Sequence, residues 1–161
     1  MIFITEHIIE QAAEALDVPE DEWLIVVEEF GKSQPAVLAY LFSEDLELLT
    51  QDEREYGLYL TMVMWRAIET VSGKIREVTA DEITELEEFN WVMLDKVNEQ
   101  RFRDRVTIFF DGYAQEDLLA FVEDALVDDD DSQVSKEGRE PLFVTLKSII
   151  DALAIASEQA A

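Results

Sequence analysis

The sequence predicts an all-α protein, a six- to seven-helix bundle or irregular helical array with one repeat-like feature. Three observations carry that reading. Apolar residues recur at three- and four-residue spacing along most of the chain, the period of one helical face. Two Thr-x-x-Glu capping boxes, Thr50/Glu53 and Thr79/Glu82, each open an apolar run. Only five glycines and three prolines interrupt the 161 residues.

The elements follow in order. Thr5 caps a first helix with Ile8, Ile9, Ala12, Ala13 and Leu16 on one face. Pro19 and the acids Glu20, Asp21 and Glu22 suit the start of a second, because proline tolerates the first turn and carboxylates favour the positive dipole end. Trp23, Val26, Val27 and Phe30 form its stripe and Gly31 its C-terminal cap. Residues 23–27 alone have strand composition, but the flanking signals favour helix. Ser33 is expected to cap a third helix running through Val37, Leu38, Leu41 and Phe42 towards Leu49.

The first capping box opens a helix to about Ser72, ended by Gly73. Its middle, Leu58 to Trp65, is apolar on nearly every side, which marks a central, buried helix; Met62, Met64 and Trp65 are core. The second box opens a helix expected to turn Ile83, Leu86, Phe89, Met93 and Val97 inward. Val63–Ile68 and Val92–Val97 follow their boxes at the same offset, the mark either of two amphipathic helices of similar composition, which is the preferred reading, or of a solenoid-like helical repeat. Val106 to Phe110 is β-branched and apolar; it is taken as helix, with strand left open. Asp111-Gly112 reads as a break, and Leu118, Leu119, Val122, Ala125 and Leu126 as another stripe. Residues 128–135, with four consecutive acids, read as an acidic loop before a C-terminal helix that starts near Ser135 or, because of Pro141, somewhat later. The alanine-rich tail, including Ala154, Ala156, Ala160 and Ala161, is expected to fray.

A chain this long is most simply one domain, residues 1–161. With 38 Asp+Glu against 12 Lys+Arg its formal charge is −26. Nine Phe, three Trp and four Tyr nonetheless suffice for a core, so disorder is not expected. Such a charge repels phosphates and anionic lipid, so neither nucleic acid nor membrane is an expected partner, whereas a basic protein is. Zero cysteine excludes disulfides and thiol chemistry. The N-terminus lacks a basic region and no apolar run reaches the ~20 residues of a membrane span, so a cytoplasmic protein is expected. Oligomeric state stays open; an uncovered apolar stripe would favour a homodimer.

Catalytic signals are sparse. His7 is the single histidine and lies on a polar face. The pairs Glu44/Glu47, Glu82/Glu85, Glu85/Glu88 and Glu137/Glu140 have helix-face spacing for a hard cation, yet so many acids generate such pairs by chance. Asp129, Asp131, Gln133, Ser135, Glu137 and Glu140 match calcium-loop spacing, but Val134 stands where that loop needs glycine. Arg101, Arg103 and Arg105 are read as neutralising nearby acids. No catalytic, cofactor or metal residue is assigned. The expected function is a non-catalytic, cytoplasmic protein-interaction domain with an acidic surface. The alternatives are a carboxylate-metal (Mg or Mn) hydrolase of nucleotides or phosphate esters, a DNA-mimic inhibitor, and acidity as an adaptation to salt.

Overall fold

The computed structural model describes residues 2–127 and 134–158. These form eight α-helices and, among the described residues, no strand. In order they are α1 (Glu6–Ala15), α2 (Glu20–Ser33), α3 (Pro35–Leu41), α4 (Gln51–Ser72), α5 (Ala80–Asp95), α6 (Phe102–Val106), α7 (Glu116–Leu126) and α8 (Lys136–Glu158). Short 3-10 turns span Glu44–Leu46 and Thr107–Phe109.

Local chemistry sets the helix starts. The Thr5 hydroxyl accepts from the Ile8 amide. Both capping boxes form reciprocally: Thr50 accepts from the Glu53 amide while Glu53 accepts from Thr50, and Thr79 and Glu82 do the same. Gly73 and Gly112 supply the left-handed backbone their turns need, with φ of 76° and 68°. Residues 106–109 are helical, the end of α6 and a 3-10 turn, as the sequence analysis expected, and Phe110 caps them.

Several boundaries differ from expectation. α2 runs through Gly31 to Ser33, and Ser33 caps nothing. Gln34 occupies the N-cap of α3 instead, and Pro35 is the first helical residue. α3 stops at Leu41 because the chain then folds back around Arg54, whose guanidinium donates to the Ser43, Leu46 and Leu49 carbonyls. α8 starts at Lys136, ahead of Pro141, and Ala156 is fully buried rather than frayed. The acid run 128–131, Asp129, Asp131 and Gln133 of the calcium-loop spacing, and Ala160 and Ala161 lie outside the described residues.

The core is built around α4 and α8, which cross at its centre. Leu142 to Ile150 of α8 are buried on every side, so α8 shares the central role the sequence reading gave to α4 alone. The two helices approach closely at Gly57, where a Cβ would come within 3.0 Å of Leu142 Cδ1. Trp23 and Phe30 of α2 pack on Tyr59 and Trp65 of α4, at 6.1 and 5.2 Å between ring centroids.

The helices form two interlocked halves, α1–α4 and α5–α8. α1 packs on α4 and α7; α5 packs on α8 and α3; α3 packs on α4 as α7 packs on α8. Exchanging the halves leaves these pairings unchanged. A buried glutamine locks each half to the other. Gln115, before α7, accepts from the Ile4 amide at 3.0 Å and donates to the Ile2 carbonyl at 3.1 Å. Gln34, before α3, accepts from the Val78 amide and donates to the Arg76 carbonyl, both at 2.9 Å. Each glutamine thus satisfies an extended segment as a neighbouring strand would, and each segment runs into a threonine-capped helix. The repeat is visible in sequence once located: Gln34–Leu41 reads QPAVLAYL and Gln115–Val122 reads QEDLLAFV, and buried Leu58 and Thr61 correspond to Leu142 and Thr145. This replaces the solenoid-like echo. The two capping boxes open α4 and α5, which hold different places in the repeat, and the α4–α8 and α5–α8 contacts span distances a nearest-neighbour solenoid does not.

Two carboxylates tie the chain together electrostatically. Arg76 grips Glu82 with both guanidinium arms, at 2.9 and 2.8 Å, and that pairing lowers the Glu82 carboxyl from 4.5 to about 2. Burial pushes the Glu53 carboxyl up, but hydrogen bonds from Thr50 and Ser135 outweigh it and leave the group below its ordinary value. Both groups bind protons more weakly folded than unfolded, so their stabilisation is complete above the unfolded value and lost as pH falls through the folded one. Denaturant melts at stepped pH should therefore show stability falling between about 4.5 and about 2. Glu82→Gln should flatten that fall; an unchanged slope would remove Arg76–Glu82 as a cause.

Candidate functional site

A surface concavity of about 490 Å³ lies where the two halves meet between α1 and α7. Its floor is apolar: Ile9 and Ala13 from α1, Phe121 and Ala125 from α7. Its rim is acidic on both walls, with Glu6 and Glu10 on α1 and Asp117 and Asp124 on α7. Asp117 accepts from the Glu6 amide at 3.0 Å, so one rim carboxylate also fixes the start of α1. Arg103 pairs with Glu123 at 2.7 Å and reaches Asp124 at 3.5 Å. At the corresponding junction of α5 and α3, Glu87 and Tyr40 stand in place of Ala13 and Phe121. There burial, and then the Glu87 carboxylate, holds the Tyr40 phenol well above its usual range.

A second feature is a buried polar cluster formed by α5, α8 and the segment before α7. Lys147 is 7% exposed, and its ammonium donates to Asp151 at 2.8 Å and to the Asn90 amide oxygen at 3.2 Å. Asn90 in turn donates to Ser148 at 3.0 Å and Asp151 at 3.3 Å. The Tyr113 hydroxyl donates to the other Asp151 oxygen at 2.6 Å. Burial, and then the Asp151 charge, raises the Tyr113 phenol far beyond the usual tyrosine range, so it stays a donor. The Lys147 ammonium also lies 4.7 Å from the Tyr113 ring centroid and 5.4 Å from that of Phe109.

The sequence reading missed this cluster because it placed Phe89 inward. In the structure Phe89 is 59% exposed, and Asn90 faces the core beside Leu94. The inner face of α5 is rotated so that Asn90 meets α8. Nothing in the periodicity signals that. The available hint was a lysine and an aspartate four residues apart inside the most apolar stretch of α8.

The other residues singled out from sequence are dispersed. His7 is exposed. Glu44, Glu47, Glu85 and Glu88 are exposed, Glu82 is held by Arg76, and Glu140 by Arg105 at 2.6 Å. Arg105 also donates to the Val97 and Glu99 carbonyls, so it and Arg103 serve local pairing as expected. Among the described residues no group of three or more His, Asp or Glu comes together to hold a metal ion. Exposed carboxylates occur on α1, α2, α4, α5, α7 and α8 alike. Among the described residues no helix is long and apolar enough to cross a membrane. No family model, no curated protein and no solved structure matches this chain.

Proposed function

We propose that this protein is a non-catalytic, cytoplasmic interaction domain that captures a basic partner, with the α1–α7 groove receiving an amphipathic helix. One observation carries the reading: an apolar floor flanked on both walls by carboxylates. A helix laid in such a groove buries its apolar stripe while Lys or Arg on either flank meets the rim. The net charge of −26 adds long-range steering of that partner. Rim charges act mainly on association rate and its salt dependence, whereas the floor sets residence time.

A model helix of Leu, Ala and Lys, titrated onto the intact chain at low and moderate salt, tests the proposal. Binding should weaken as salt rises, and a peptide with Glu in place of Lys should not bind. Combining Glu10→Lys with Asp124→Lys should lower affinity for the basic peptide by about tenfold. If that pair changes nothing while Asp21→Lys with Glu22→Lys on α2 abolishes binding, the groove is not the docking site.

A further inference from the structure

We propose that Tyr113, Lys147 and Asp151, with buried Asn90 hydrogen-bonded behind them, form the floor of a second, independent site, one that binds a small neutral molecule with an apolar body and a single donor–acceptor head, of the alcohol or carboxamide class. A cavity of about 320 Å³ opens above the cluster, at the lower end of the range for small-molecule pockets. Lys147 and Asp151 line its floor; Leu86, Phe89 and Ile155 form apolar walls. Phe89 and Ile155 are both substantially exposed, at 59% and 38%, and they flank the opening.

The fold contains its own control. At the corresponding place in the first half, Lys147, Ser148 and Asp151 of α8 are matched by Val63, Met64 and Ala67 of α4, and Asn90 of α5 by Leu16 after α1. All four are buried apolar residues. The same helical arrangement therefore packs without any polar floor. A buried ion pair adds little stability over apolar residues of similar volume, so folding does not account for this one. The walls differ in the same direction, with Leu86, Phe89 and Ile155 facing counterparts Ala12, Ala15 and Val71. Both changes in the second half, larger apolar walls and a polar floor, build a pocket.

Charge selects the ligand. Lys147 and Asp151 neutralise each other at 2.8 Å. An anionic head would compete with Asp151 for the ammonium and meet Glu158 at the rim; a cationic head would compete with Lys147. A neutral head can accept the third ammonium N–H and donate to Asp151 while leaving the pair intact.

Benzyl alcohol and benzamide, with benzylammonium and benzoate as charged controls of the same body, are suitable probes for an NMR titration of the intact chain at roughly millimolar concentration. The neutral probes should shift resonances of Phe89, Ala154 and Ile155 and bind at least about tenfold more tightly than the charged ones. Phe89→Ala, at an exposed position, should weaken both neutral probes. Lys147→Met combined with Asp151→Leu should abolish the preference for a polar head. Absent shifts with the neutral probes, equal binding of the charged ones, or an unchanged preference in the double variant would each overturn the proposal. Because α1 and α7 rim residues are not involved, failure here leaves the groove untouched, and the reverse also holds.

Discussion

Gly138→Ala should destabilise the protein by about 3 kcal/mol, although the same change inside an ordinary helix stabilises by up to about 1 kcal/mol. Gly138 lies in the first turn of α8, and a Cβ there would overlap the carboxyl group of Glu53. Glu53 cannot move aside cheaply. It is 1% exposed, and its oxygens accept from the Thr50 amide, the Ser135 amide and the Ser135 hydroxyl, each at 2.9 Å. One carboxylate thereby serves the N-termini of both central helices, where its charge also complements their dipoles. Displacing it would leave part-buried amides, and the buried carboxylate itself, without partners, which costs more than the helix propensity returns. Glu53→Ala alone should also destabilise, but in that background Gly138→Ala should be neutral or favourable, a strongly non-additive cycle measurable by urea denaturation. Should Gly138→Ala raise stability in the otherwise intact chain, the Glu53 bridge does not hold the two helices as described.

Lys147→Ala should cost about 3–5 kcal/mol, and Asp151→Ala a similar amount, because each leaves an uncompensated charge in a largely buried setting. The side chains are only 8% and 15% exposed. Lys147→Met with Asp151→Leu should cost much less than either single change, since it restores the apolar pattern the first half already uses at Val63 and Ala67. Some loss will persist through Tyr113, whose hydroxyl donates to Asp151. A double variant as unstable as the sum of the singles would mean that the second half needs the ion pair to fold, and Val63 and Ala67 would then be no guide to what α8 tolerates at Lys147 and Asp151.

Much of the helical layout was legible because its causes are local. A threonine three residues before a glutamate satisfies two orphan amides wherever it stands, so Thr50 and Thr79 announced α4 and α5. Gly73 and Gly112 marked turns because only a residue without a Cβ adopts positive φ at no steric cost. Errors fell where a distant partner decides. Gln34 took the cap expected of Ser33 because Val78 and Arg76 needed its amide. Phe89 lost the inward place expected of it to Asn90 because Ser148, Lys147 and Asp151 wait on α8 for an amide.

The amino-acid sequence by itself determined an acidic, all-helical protein with starts and stops written in caps and glycines, because helix chemistry is settled within a few residues. Only the tertiary structure decided that two halves interlock through Gln34 and Gln115, that Glu53 serves two helices, and that an acid-rimmed groove and a polar-floored cavity exist. Those features join groups dozens of residues apart. Their stabilisation comes from desolvation and from hydrogen bonds made only once the chain has folded back on itself, which periodicity along the sequence does not encode.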